Sequence, residues 1–143
     1  MGNDLGPAAT VGGAAAFSLR PDAPPVTLVG DGDRLEDELR RHPHVRERLR
    51  IVHASQAVAM DASPKEALDA LPDASVLVAA REVAEDRADV LVSAGNTGAV
   101  TLACARTFGR LPGVARAALG AVVPTELRRG ERKDPFSLLL DAG

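Results

Sequence analysis

Apolar and polar positions along the chain change period several times, and each change marks an element. Pro7 to Ser18 is Ala-rich and predicts a helix that Gly12 and Gly13 weaken. The Pro-rich run from Arg20 to Pro25 predicts a loop, Val26 to Val29 a short buried strand, and Gly30-Asp31-Gly32 a turn. Asp33, with Glu36 three residues on, reads as the N-cap and closing residue of a capping box, opening a helix that runs to about Arg41 and breaks near Pro43. Leu49 to His53 is a second strand. Ser63-Pro64-Lys65-Glu66 places Ser at the N-cap, Pro in the first turn and Glu three residues after the cap, and its helix ends by Pro72. A further helix spans Ser75 to Asp86, Asp89 to Ser93 a third strand, and Asn96 to Phe108 another helix. Ala117 to Val123 reads as extended, and Phe136 to Leu140 as the last strand.

Short apolar strands alternating with helices predict an α/β fold with a mainly parallel sheet and helices on both faces. The first helix lacks a strand feeding it and the last strand lacks a following helix, so the chain reads as part of something longer. Its 143 residues make one domain, and 45% hydrophobic content is enough for an ordinary core. Aromatics make up only 2%, with no Trp or Tyr, so Ala, Val and Leu must fill that core. The three Phe are too few for base-stacking platforms, and a net charge of −3 opposes a duplex-binding footprint, so nucleic acid is not an expected partner. A single cysteine, Cys104, excludes an internal disulfide and a multi-cysteine metal knuckle and fits a reducing compartment. No apolar run reaches the roughly 18–20 residues of a membrane span, and no basic segment at the start precedes an apolar one, so the chain reads as soluble without a secretory signal.

The stretch richest in chemistry is Asp89-Val90-Leu91-Val92-Ser93-Ala94-Gly95-Asn96-Thr97-Gly98-Ala99-Val100. It reads as a strand, a small Gly-containing turn and the start of a helix. Ligands bind at the carboxyl ends of strands in open α/β sheets, and a helix amino terminus offers unpaired N–H groups with a partial positive charge. Gly95 and Gly98 allow close backbone approach to an anion, while Ser93, Asn96 and Thr97 add side-chain donors. An equal reading of the spacing has Asn96 or Thr97 merely capping the helix and the glycines making the turn. In the helix that follows, Val100, Ala103, Cys104 and Thr107 share one face, making Cys104 a small core residue rather than a nucleophile.

Other signals carry less. Gly30-Asp31-Gly32-Asp33-Arg34-Leu35 begins like a dinucleotide fingerprint, but Leu35 stands at the third glycine and two Asp would repel a pyrophosphate, so a turn with an N-cap is the better account. His42 and His44 flank Pro43 and are expected in solvent. His53 ends a strand, facing a cleft or held as a structural hydrogen-bonded His. No helical His pair exists, so no metal site is expected. Arg128, Arg129, Arg132 and Lys133, interleaved with Glu126 and Glu131, read as a solvated connection or as a surface that steers an acidic carrier.

Ser93-Ala94-Gly95-Asn96-Thr97-Gly98-Ala99 resembles the signature loop of the phosphate acyltransferases of bacterial phospholipid synthesis, often called PlsX. Further matching segments occur in order: Val29-Gly30-Asp31, Ile51-Val52-His53, Met60-Asp61 with Pro64, Val78-Ala79-Ala80, Ala88-Asp89, Gly109 to Gly113, and Leu138 to Gly143. The resemblance implies the amino-terminal half, residues 1–143, of a fold like that of isocitrate and isopropylmalate dehydrogenases and phosphotransacetylase. The first strand and second half of that fold are absent. It implies acyl transfer from acyl-[acyl carrier protein] to inorganic phosphate, without cofactor or metal, by a cytoplasmic homodimer peripherally associated with membrane. Ser93, Gly95, Asn96, Thr97 and Gly98 would hold phosphate, with Asn96, Thr97, His53 and Asp4 catalytic. The chain departs from the family where it opens Met1-Gly2-Asn3-Asp4-Leu5, with Leu5 at a His position, and where Ala70-Leu71-Pro72 replaces a basic stretch. A phosphotransacetylase-type enzyme using coenzyme A thioesters, and a non-catalytic truncated relative, are the alternatives.

Overall fold

Alternation of side chains at Val26–Gly30 (β1) and Leu49–His53 (β2) creates a two-stranded parallel sheet, in register from Val26 opposite Leu49 to Gly30 opposite His53. The computed structural model describes residues 6–115, 119–129 and 134–140. They belong to two units, one ending at Gly109 and the other beginning at Arg110.

In the first unit, one face of the sheet is apolar. Helices Gly6–Ser18 (α1) and Gly32–Leu39 (α2) cover it, burying Val11, Ala15, Leu28, Leu35, Leu39 and Leu49 in one cluster. The opposite face mixes Val29 and Val52 with Thr27 and Arg50. Arg50, paired with Thr27, donates to its hydroxyl at 3.3 Å and forms an ion pair with Glu82 of the helix Ser75–Ala84 (α4). Arg87 reaches the other oxygen of Glu82 at 2.7 Å. Glu82 is buried, so this carboxylate needs both guanidiniums. Arg87, then Arg50, hold it below the ordinary carboxyl range by hydrogen bonding and charge.

A second cluster joins Pro64–Ala70 (α3), α4 and Thr97–Phe108 (α5) through Val58, Leu68, Ala74, Ala99 and Ala103. The small side chains at 74, 99 and 103 let these helices approach closely. The chain between β2 and α3 is tied to the start of α4. Ser75 N–H donates to the Gln56 carbonyl at 2.9 Å, and the Gln56 side chain accepts from Asp73 N–H at 3.0 Å. Asp73 accepts from the Ser55 hydroxyl at 2.5 Å and the Ser55 N–H at 2.6 Å, and these bonds keep its carboxyl below the usual range.

The second unit is an antiparallel hairpin of Gly120–Arg129 (β3) and Asp134–Leu140 (β4). The expected α/β class and helices on both faces of a parallel pair are present. The described strands form one parallel pair in the first unit and one antiparallel hairpin in the second. Residues 116–118, where the extended reading of Ala117 to Val123 begins, lie outside the described residues.

Four finer expectations are corrected. Residues 89–93 form no strand: the segment has no ladder to a neighbour, and Val90 and Val92 are 72% and 92% exposed. An apolar run becomes a strand only where another edge receives its hydrogen bonds. The cap of α2 is Asp31 rather than Asp33, accepting from Arg34 N–H at 3.2 Å, while Glu36 pairs with Arg46 at 3.0 Å instead of closing a box. At α3, Pro64 takes the first turn as read, but the Ser63 side chain makes no capping bond. His42 and His44 are half-buried rather than solvated. His42 lies 3.3 Å from Glu38, and His44 Nδ1 lies 2.8 Å from the His42 carbonyl.

Three carboxyls, Asp69, Asp73 and Glu82, are held low by hydrogen bonds, chiefly from Lys65, Ser55 and Arg87 respectively. A carboxyl with a lowered folded pKa stabilises the fold above its unfolded value and loses that contribution as pH falls through the folded one. Melting temperature should therefore hold near neutrality and drop steeply below about pH 4. Glu82→Gln should melt lower at pH 7 and show a shallower acid decline. An unchanged acid slope in that variant would remove Glu82 from the explanation.

Candidate functional site

Asn96 sets the geometry of the loop before α5. Its Oδ1 accepts from Ala99 N–H at 3.0 Å, capping the helix, and its Nδ2 lies 3.0–3.2 Å from the carbonyls of Ala59, Met60 and Ala62. Three carbonyls around one atom require the amide nitrogen there, and the Ala99 N–H requires the oxygen. The residue is buried, with only 9% of its surface exposed. Both amide hydrogens are thus engaged by the protein, and Asn96 shapes the turn rather than offering a free donor. The capping reading of the sequence accounts for its side chain.

Gly98 has a different constraint. A Cβ there would stand 2.6 Å from Pro64 Cγ, so the amino ends of α3 and α5 meet at a spacing that only glycine permits. Ser93 is exposed, and its hydroxyl accepts from Gly95 N–H at 3.2 Å. Thr97 is exposed as the first residue of α5. Val100 N–H bonds the Asn96 carbonyl and Ala99 N–H the Asn96 side chain. Helix geometry leaves the N–H groups of Thr97 and Gly98 without an intrahelical acceptor, at the positive end of the helix dipole.

A hollow of about 850 Å³ borders this loop. Residues 87–96 form one wall, and β1 with residues of α1 and α4 form the others. Ser93, Ala94, Gly95 and Asn96 line it, whereas Thr97, Gly98 and His53 do not. His53 sits exposed at the end of β2, where its Nδ1 accepts from Gly32 N–H at 3.1 Å; it is bonded to the start of α2 and not to the loop. Asp4 lies outside the described residues. Arg87 is the only cationic side chain among the described lining residues, and it is committed to Glu82 and Glu85. Among the described lining residues, an anion at the loop would therefore meet main-chain and hydroxyl groups.

Cys104 is half-buried and burial pushes its thiol pKa up, so it stays protonated at neutral pH. Of the expected stripe Ala103 is buried and Cys104 half-buried, the other buried position of α5 is Ala99, and Val100 lines the hollow instead. Among the described residues, no cluster of three or more His, Cys, Asp or Glu is placed to hold a metal, and no helix is long and apolar enough to cross a membrane.

A family model described as "Fatty acid synthesis protein" matches residues 1–143. The chain belongs to that family. Curated relatives named "Phosphate acyltransferase" include one from Oleidesulfovibrio alaskensis, 45% identical over all of this chain and 39% of its own length. Another, from Pseudomonas aeruginosa strain PAO1, is 41% identical over 88% of this chain and 38% of its own length. A third, from Leptospira biflexa, is 38% identical over all of this chain and 40% of its own length. The chain therefore spans about two-fifths of the relatives it matches.

Sequence reasoning found the loop but not what holds it. The carbonyls of residues 59, 60 and 62 that grip Asn96 carry no side-chain signal, because any residue supplies a carbonyl. Contact between Pro64 and Gly98 had a faint trace in the family-like Pro64 lying upstream of the signature.

Asn96→Ala removes a cap worth about 1 kcal/mol and leaves partly buried carbonyls without a donor, at about 1–3 kcal/mol. Denaturant titration should show a loss of about 2–4 kcal/mol. Asn96→Asp keeps the cap oxygen yet should lose a comparable amount. For Gly98→Ala, overpacking costs about 1–3 kcal/mol, against a helix-propensity gain of at most about 1 kcal/mol. Crowding wins, and the unfolding midpoint should fall. A Gly98→Ala protein more stable than the parent would show that α3 and α5 are not in contact.

Proposed function

We propose that this chain supplies the phosphate-holding part of an acyltransferase that converts acyl-[acyl carrier protein] and inorganic phosphate to acyl phosphate and free carrier. Family membership and the relatives' names support an acyltransferase. The single structural observation that carries the phosphate role is the amino end of α5, whose Thr97 and Gly98 N–H groups have no intrahelical acceptor and follow a loop in which the exposed Ser93 lines the hollow. In this reaction a phosphate oxygen attacks the thioester carbonyl. The C–S bond breaks, the C–O bond forms, and the carrier thiol leaves with a proton. The protein needs no covalent nucleophile, which suits the protonated Cys104. Its task is to hold the anion in line and to stabilise charge developing on the carbonyl oxygen.

In this reading the N–H groups of Thr97 and Gly98, the loop backbone at Gly95, and the hydroxyls of Ser93 and Thr97 form the cradle. Asn96 acts by positioning them. His53, at the end of β2, and Asp4, outside the described residues, are the remaining catalytic candidates. The finer expectations belong to the same proposal: the dehydrogenase-like fold, a homodimer, and a cytoplasmic protein peripherally associated with membrane. A non-catalytic role is favoured by one observation, the engagement of Arg87 by two glutamates, which leaves the described lining of the hollow without a free cation.

Phosphate that binds only the folded chain must stabilise it, by about 1.4 kcal/mol for each tenfold above Kd, and so raise its melting temperature. Sulfate at equal ionic strength controls for general salting effects. Phosphate should stabilise the chain beyond sulfate, and a Ser93→Ala, Thr97→Val double variant should lose that increment while melting normally in sulfate. Equal effects of both anions on both proteins would defeat the cradle.

A further inference from the structure

The stretch from Ala59 to Pro64 is pinned to the head of α5 at two points. Asn96 Nδ2 donates to the Met60 carbonyl at 3.1 Å and to the Ala62 carbonyl at 3.0 Å. Two residues further on, Pro64 meets Gly98 so closely that a Cβ there would stand 2.6 Å from its Cγ. Residues 59–64 read Ala-Met-Asp-Ala-Ser-Pro, so Asp61 is the one ionisable side chain in the clamped stretch. Standard bond lengths counted from the Met60 carbonyl bring the Asp61 Cα to within about 7 Å of Asn96 Nδ2. Among the described residues the Asp61 carboxylate has no hydrogen bond or ion pair. Asp69, by contrast, is committed to Lys65 and Arg106, and Asp73 to Ser55.

A carboxylate held there sets a requirement on any anion received by the Thr97 and Gly98 N–H groups. Ionised, it accepts hydrogen bonds and donates none. Inorganic phosphate carries at least one proton at neutral pH and can share it with a carboxylate oxygen in a short, charge-assisted bond. Sulfate carries none, so its oxygens meet the carboxylate as like charges with nothing between them. Arg87, the only cation among the described lining residues of the hollow, is committed to Glu82 and Glu85 and does not offset that repulsion. A negative charge set just before the start of α3 also suits the helix dipole, but a dipole contact does not choose between two anions of similar size and shape.

We propose that Asp61 is the specificity-determining residue of the loop, admitting tetrahedral oxyanions that carry a proton and turning away those that carry none. The inference rests on the phosphate cradle and adds to it the means of selection. The test titrates the chain with phosphate, arsenate and sulfate at neutral pH and constant ionic strength, following the Thr97 and Gly98 amide signals by NMR. Arsenate, protonated like phosphate, should bind as phosphate does, and sulfate should bind about tenfold more weakly. Asp61→Asn, whose amide donates as well as accepts, should bind phosphate and sulfate within about twofold of each other, chiefly by gaining affinity for sulfate. Asp61→Glu should keep the preference for phosphate. Protected Asn96 side-chain NH₂ signals in each variant would show the clamped turn intact. A parent chain that binds sulfate as tightly as phosphate overturns the proposal and leaves the cradle standing. So does an Asp61→Asn protein that keeps the parent's preference or gains no affinity for sulfate. Amide signals that respond to none of the three anions overturn the cradle, and selection by Asp61 with it.

Discussion

The Asn96 side chain is the constraint on which the candidate site depends. One buried amide joins the start of α5 to the turn at residues 59–62, satisfying a helix N–H with its oxygen and three carbonyls with its nitrogen. Without it, the segment from 89 to 96 would have little to fix it, since no ladder holds it to β1. The first N–H groups of α5, at Thr97 and Gly98, have no intrahelical acceptor. Structure and candidate chemistry thus arise from one residue, which serves the loop by being unavailable to a ligand.

Polar ties also decide how the rest of the first unit is arranged. One face of the β1–β2 pair is closed by hydrocarbon from α1 and α2, and the other is closed by Glu82 between Arg50 and Arg87. The ion triad orients α4 against the sheet, but it also withdraws Arg87 from the hollow it borders. Asp73 fastens the loop after β2 in a similar way, through Ser55 and Gln56. Among the described lining residues, an anion at this loop would meet dipoles and hydroxyls, which act at short range and depend on the turn keeping its shape.

Elements with a local cause were legible in the residues. Pro64 in the first turn of its helix, the apolar Leu49–His53 strand and the Asn96 start of α5 all appear where the pattern puts them. Elements that need a remote partner were not. Asp89 to Ser93 has the composition of a strand, yet its conformation depends on an edge that hydropathy cannot reveal. Asp31 and Asp33 are both acceptable caps by type, and only the path of the chain leaving β1 selects Asp31. The loop of the site was recognisable because Ser93-Ala94-Gly95-Asn96-Thr97-Gly98 is distinctive. Division of labour within it was hidden, because the partners of Asn96 are backbone carbonyls and the obstacle to a side chain at 98 is a proline 34 positions away.

The central claim is that the Thr97 and Gly98 amides at the head of α5 stand free to receive an anion while Asn96 is occupied. Amide and side-chain NMR during a phosphate titration tests it most directly. The account predicts saturable shifts of the Thr97 and Gly98 backbone N–H signals, with the Asn96 side-chain NH₂ resonances nearly still and protected from exchange. Backbone signals that do not move, or an Asn96 side chain that exchanges freely and shifts with phosphate, would contradict it.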